Sequence, residues 1–321
     1  MSAQPSITAA VCTYNRCGSL KDTLRSLAAQ ALPSGQTIEI LVVDNNSTDD
    51  TRQVVQEEAA RSAQWPIRSV LEPHQGIAFA RNRALLGARG EYVAYVDDDA
   101  VADAGWAAAI LRCAQETGAD MVGGRILPLW LADRPRWLAD DLMGPITAFN
   151  LGLARVRCSA PAQAFLTTNC ALRRSRADRL GLFDVTLGRR GTRWVGGEDF
   201  ELFIRWLRQG AAIYYEPTAV VHHKVEPERV TPQFYRRWYE DVGYTQAHQL
   251  EPKWHYRLSI VPAWRWKKLL AAGARYATTR LGRAGEDARL QTELWWKFER
   301  SFLKERVDHW IGKPDCHFAK A

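Results

Sequence analysis

The sequence predicts an α/β protein with a mostly parallel sheet flanked by helices, followed by a helical C-terminal extension. Three observations carry that expectation. Short β-branched runs alternate with helix-period segments over about the first hundred residues. The runs are nearly unbroken in their apolar character, as strands covered on both faces are. From residue 227 onward the alternation stops and the chain becomes basic and rich in tryptophan.

Each element follows from its own pattern. SITAAVC is a short apolar run suited to a buried strand. In GSLKDTLRSLAAQAL, Leu20, Leu24, Leu27 and Ala31 fall on one helical face. IEILVVD is a second strand, and NNSTDDTRQVVQEEAA then supplies Ser47 as N-cap, acids in the first turn and an inner face of Val54, Val55 and Ala59. IRSVLE is a third strand, GIAFARNRALLGA a helix and YVAYVD a fourth strand. Beyond residue 121 the pattern is less regular. MVGGRILPLW reads as a strand, LADRPRWLADDLMGP as a loop, and AFLTTNCALRRS as a strand entering a helix. GGEDFELFIRWLRQG is a helix with Phe200, Phe203, Ile204 and Leu207 on its apolar side, and AAIYYEPTAVVHH is a strand pair or one bent strand.

Charge divides the chain in two. Residues 1–226 hold 25 Lys and Arg against 25 Asp and Glu, whereas residues 227–321 hold 18 against 11 and seven of the thirteen tryptophans. No apolar run approaches the roughly 20 residues that span a bilayer. The first residues lack the pattern of a secretory leader, and six scattered cysteines show neither disulfide nor zinc spacing, so a reducing cytoplasm is expected.

In parallel sheets, ligands bind beyond the carboxyl ends of the strands. Thr13–Arg16, Asp44–Asn46 and Asp97–Asp99 all fall there, so three polar clusters are expected to converge. Three adjacent aspartates repel one another. A D-x-D of this kind either caps a strand with an acidic turn or holds a divalent cation that neutralises a diphosphate.

In order, CTYNR, VDNNSTDDT, HQGIAFARNRALLGARGEYVAYVDDDA, TTNCALRRS, GLFDVTLGRRG and GGEDFELFIRWLRQG, fading after AVVHHKVEPERVT, resemble the family 2 glycosyltransferases over roughly residues 6–245. The resemblance implies a GT-A fold with a Rossmann-like sheet in residues 1–226. Residues 1–120 would form its nucleotide-binding half and 121–226 its acceptor half. It implies a nucleotide-diphosphate sugar as donor, UDP-linked by preference, a glycan or lipid-linked acceptor, and Mg²⁺ or Mn²⁺ as cofactor. Thr13, Tyr14 and Arg16 would line the nucleotide pocket, Asp44 would meet the base, and Arg81 the diphosphate. Asp97 would face ribose or metal and Asp99 would ligate the metal, with Asp98 on the donor side or turned to the other face. Asp199 matches the general base of inverting transfer, and Glu198 would support it or touch the acceptor.

Nearby acids raise the pKa of Asp199 and the helix N-terminus lowers it, so the net direction stays open at this level. GGED also reads simply as a helix start with favourable first-turn acids. One of His222 and His223, with His223 favoured, would complete the metal site, although such a pair can equally be structural. Trp137 and Trp194 either stack on a sugar ring or belong to core and rim. Processive members carry Gln or Arg three residues before an Arg-Trp pair. Here Leu202 stands in that position, before the retained Arg205-Trp206, so single-sugar addition is expected.

Two further enzyme classes use clustered aspartates beside a parallel sheet, nucleotidyltransferases and Mg²⁺-dependent phosphatases; a non-catalytic nucleotide-sugar-binding module is the third rival. For residues 227–321 two readings stand: peripheral contact with the inner face of the plasma membrane, or a helical subdomain packed on the catalytic domain. No nucleic-acid-binding motif is present, and nucleic acid is not an expected partner.

Overall fold

A computed structural model of the chain describes residues 5–189, 196–249, 263–282 and 284–310. The chain divides into two compact units. One comprises residues 1–133, 140–192 and 198–226, and the other 134–139, 193–197 and 227–321.

The first unit is built on one mixed sheet. Strands β1 (Ile7–Thr13), β2 (Ile38–Asp44), β3 (Ile67–Leu71) and β4 (Tyr92–Val96) run parallel in the spatial order β3-β2-β1-β4. Helices α1 (Cys17–Ala28), α2 (Thr51–Arg61) and α3 (Ile77–Gly87) connect them. The later strands are β5 (Ala100–Ala102), β6 (Met121–Trp130), β7 (Val156–Arg157), β8 (Asn169–Arg173) and β9 (Ile213–Val225). Of these β8 is antiparallel to both β4 and β6, while β9 is parallel to β6. Helices α4 (Trp106–Thr117), α5 (Ala177–Leu180) and α6 (Glu198–Arg208) complete the unit.

Strand alternation sorts the core into two layers. Ala9, Val11, Ile40 and Val42 face the cluster that holds Leu20, Leu24 and Leu27 of α1. Ala10, Leu41 and Val43 face the opposite cluster with Ala80 and Ala84 of α3 and Phe203 and Trp206 of α6. Each fully buried leucine of α1 contributes about 1.5–3 kcal/mol. The strand β9 is single and bent: its register against β6 shifts between Gly124 and Arg125. A Cβ on Gly124 would lie 2.1 Å from the Ala219 carbonyl oxygen, so only glycine permits this approach.

Three expectations about the helices need correction. Helix α1 ends at Ala28, and Ala31 is exposed beyond it. The side-chain amide of Gln30 ends the helix by donating to the Ser26 and Asp103 carbonyls at 3.1 and 2.9 Å. Ser47 is not an N-cap, because α2 begins four residues later; its hydroxyl accepts the Asn15 amide at 3.0 Å, while Asp49 accepts the Thr51 amide at 3.1 Å. On α6 the inner face is Glu198, Leu202, Phe203 and Trp206, with Phe200 exposed. Burial of Glu198 rotates that face away from the one apolar spacing suggests.

The second unit contains α7 (Pro232–Gln249), α8 (Ala263–Leu281) and α9 (Glu286–Trp310). Glu293 of α9 holds the Arg236 guanidinium of α7 through two bonds of 2.9 and 3.0 Å. Tyr276 of α8 stacks on Trp296 of α9 with ring centres 5.2 Å apart. Among the described residues no helix is long and apolar enough to cross a membrane.

Candidate active site

The site grows from three strand ends. β1 ends at Thr13, beside β2 ending at Asp44, and β4 runs on into Asp97–Asp99. Two asparagines with positive φ, Asn15 and Asn46, turn the chain after β1 and β2. Asn15 accepts the Thr48 amide at 2.7 Å, which ties the two loops together. Asp44 accepts the Ser47 amide at 2.8 Å, and Tyr14 stands exposed. Asn45 carries out work the sequence does not reveal. It donates to the Glu72 and His74 carbonyls at 3.0 and 2.6 Å and accepts the Gly76 amide at 2.9 Å, anchoring the entry to α3.

The three aspartates have separate surroundings. Asp98 accepts the Thr13 hydroxyl at 2.7 Å and lies 3.4 Å from Arg16. Burial first, then the charge of Asp99, push its pKa up to about 7 against the pull of Arg16 and Thr13. Asp99 is buried between the Arg16 guanidinium at 2.8 Å and His223 Nε2 at 3.1 Å. Asp97 accepts the Thr168 hydroxyl at 2.5 Å and lies 3.8 Å from Arg81.

One oxygen each of Asp97 and Asp99 and a ring nitrogen of His223 fall within 4.8 Å of one another. Two carboxylates and an imidazole suit a Mn²⁺ or Mg²⁺ centre that keeps positions open for phosphate oxygens. Strand alternation separates the two histidines. Both lie in β9 opposite β5, with His223 paired to Ala100 and His222 to Val101. His222 points outward to Asp103 at 3.0 Å, outside this cluster.

The second acidic cluster opens α6. Arg81, buried on α3, donates to Glu198 while its other amino group faces Asp97, so one guanidinium joins the two clusters. Burial opposes its charge, but Glu198 and Asp97 outweigh that and raise its pKa. The Arg81 carbonyl accepts the Tyr95 hydroxyl at 2.9 Å, and its guanidinium lies 5.8 Å from the Phe183 ring centre. Asp199 accepts the Phe200 amide at 2.8 Å. Burial, and next the charge of Glu198, lift its pKa to about 6, while Arg81 and the Phe200 and Thr167 amides pull it down.

Thr167 and Thr168 thus touch one cluster each. Arg189 lies within electrostatic reach of Asp97, Glu198 and Asp99. TTNC and LGRRG carry hydroxyl and guanidinium groups in the segments next to the acid motifs, and that is the one signal the sequence offers for these residues. Trp137 belongs to the second unit, where it meets Tyr235 edge-on with ring centres 4.9 Å apart. Trp194 lies outside the described residues.

Comparison with known proteins agrees with this architecture. The family model described as glycosyl transferase family 2 matches residues 8–181. The succinoglycan biosynthesis protein ExoM of Rhizobium meliloti is 31% identical over 247 residues, covering 76% of this chain and 75% of that protein. Among solved structures, the mannosyltransferase PcManGT of Pyrobaculum calidifontis, in complex with GDP-Man and Mn²⁺, superposes with a TM-score of 0.62 at 22% identity, over 98% of this chain and 89% of that one. S. aureus TarS 1-349 in complex with UDP-GlcNAc gives 0.53 at 18% identity, over 96% and 92%. The sheet, its flanking helices and the converging strand ends are those of a GT-A glycosyltransferase, and the chain belongs to glycosyl transferase family 2.

Proposed function

We propose that this glycosyltransferase moves one sugar, with inversion, from a nucleotide-diphosphate donor to a glycan or lipid-linked acceptor. The product would be a cell-surface polysaccharide or glycoconjugate. UDP is the preferred nucleotide, the reaction is non-processive, and the enzyme works in the cytoplasm with its second unit at the inner face of the membrane. The single observation that carries the reading is the juncture of the two acidic clusters across Arg81. One cluster offers a metal-binding donor set and the other a carboxylate of raised pKa. The family match leaves no support for a nucleotidyltransferase, a phosphatase or a non-catalytic module.

Asp97, Asp99 and His223 would hold Mn²⁺ or Mg²⁺, which supplies charge neutralisation for the departing diphosphate. Asp98 keeps Thr13 and Arg16 in place at the end of β1. Arg16, Arg81 and Arg189 bring positive charge to the same region, and a planar guanidinium suits phosphate oxygens. Tyr14, exposed after β1, and Asp44 at the end of β2 line the nucleotide end of the site. Asp199 takes the proton of the attacking hydroxyl; with a pKa near 6 it is mostly ionised at neutral pH yet a stronger base than an ordinary aspartate. Glu198, fixed by Arg81, stands beside Asp199 and raises its basicity. Leu202, buried in the core, supplies no polar group at the position processive members use.

The test is nucleotide release. Purified protein with Mn²⁺, a panel of UDP- and GDP-sugars and varied acceptors should free nucleotide with at least one pair and lose that activity with chelator. No release from any combination would overturn the reading.

A further inference from the structure

We propose that the outward face of α8 is a docking surface for an anionic lipid bilayer. The inference deepens the membrane-side placement proposed above, but it rests on no step of sugar transfer.

The helix has two opposed faces. On its inner face the Arg265 guanidinium is buried 3.9 Å from the Phe302 ring centre and 3.2 Å from Glu299, while Tyr276 stacks on Trp296. On the outer face Trp266, Leu270, Ala274, Ala277 and Leu281 follow one another by four, four, three and four residues, which keeps them on one side of a helix. All five are exposed, including Trp266 at 41%, Leu270 at 70% and Leu281 at 88%. An apolar stripe this continuous on a surface helix implies a covering partner.

Charge identifies the partner. α8 contains Arg265, Lys267, Lys268, Arg275 and Arg280 and no acid. Lys267 flanks the stripe on one side, followed round the helix by Arg275 and Lys268, and Arg280 flanks it on the other. Of the acids of the neighbouring helix, Glu293 pairs with Arg236, Glu299 with Arg265 on the inner face of α8 and Asp308 with Lys304, while Glu305 is buried. Glu286 and Asp287 sit in the first turn of α9, where the helix dipole favours them. An apolar stripe with cations on both shoulders matches a bilayer surface, where acyl chains lie beneath anionic headgroups. Trp264, exposed at 44%, adds a second ring of the kind that favours the headgroup layer. Over 19 residues the helix runs about 28 Å, and its charges require it to lie in the surface rather than cross it.

Co-sedimentation of the full chain with phosphatidylcholine vesicles, with and without phosphatidylglycerol, tests the proposal. Binding is expected to the anionic vesicles and to weaken with salt. Two triple variants, Trp266→Ser with Leu270→Ser and Leu281→Ser, and Lys267→Gln with Lys268→Gln and Arg275→Gln, should each weaken it about tenfold or more. All six positions are exposed, so both variants should melt like the parent. Equal binding to neutral vesicles, or none to either, overturns the proposal. So does a parent chain that is dimeric in solution and becomes monomeric in the first variant, which would assign the stripe to a second copy. Retention on nucleic acid instead of vesicles, lost in the second variant, also overturns it. Turnover without vesicle binding removes this inference and leaves the transfer reading intact; vesicle binding without turnover does the reverse.

Discussion

The acidic clusters at residues 97–99 and 198–199 are built by opposite means. The first closes a buried strand and is surrounded by guanidinium, hydroxyl and imidazole groups: Arg16 on Asp98 and Asp99, Thr13 on Asp98, Thr168 on Asp97, His223 on Asp99. The second opens a helix, where Arg81 pairs with Glu198 and Asp199 takes the Phe200 and Thr167 amides. Two carboxylates and an imidazole gathered at one strand end are suited to hold a cation. A carboxylate given one charged neighbour of its own sign is suited to take a proton. The difference lies in the surroundings, not in the residue type.

The strongest way to break the comparison is to neutralise the base. Asp199→Asn should lower kcat by about 10²–10⁴-fold in a nucleotide-release assay while leaving donor KM near its parent value. An equal fall in both clusters' functions would mean they are not distinct. Removing the guanidinium that joins them comes next. Arg81→Met leaves Glu198 buried and unpaired, and urea unfolding should show a loss of about 3–5 kcal/mol. A smaller pH effect sharpens the second cluster. Its base works only when deprotonated, so activity should be flat above pH 7 and fall about tenfold per pH unit below the pKa of about 6. Residual activity of Asp199→Asn should lack that acid limb. The smallest effect concerns the first cluster: Arg16→Gln removes a positive charge 2.8 Å from Asp99. In the absence of donor, Mn²⁺ should then bind several-fold more tightly by calorimetry, since like charge at short range opposes it.

Local pattern carries much of this architecture and little of its wiring. The parallel half was legible because β-branched runs and helical spacing are properties of neighbouring residues. The preference for His223 over His222 is matched by strand alternation, which sends adjacent side chains to opposite faces of β9. The pairing of Arg81 with Glu198 spans 117 positions and that of Thr168 with Asp97 spans 71, and no periodicity encodes contacts at such separations. The place of Arg16 on Asp98 and Asp99 depends on the turn at Asn15, which no local periodicity encodes. The inner face of α6 misled because a buried ion pair at Glu198 replaces an apolar residue, which spacing of apolar side chains cannot register.

Calorimetric titration of a UDP-sugar, with and without Mn²⁺, into the parent, Asp99→Ala and Asp199→Asn proteins tests the division of labour most directly. Metal-dependent donor binding should vanish in Asp99→Ala and persist in Asp199→Asn. Binding that survives the first substitution and is lost in the second would contradict the account.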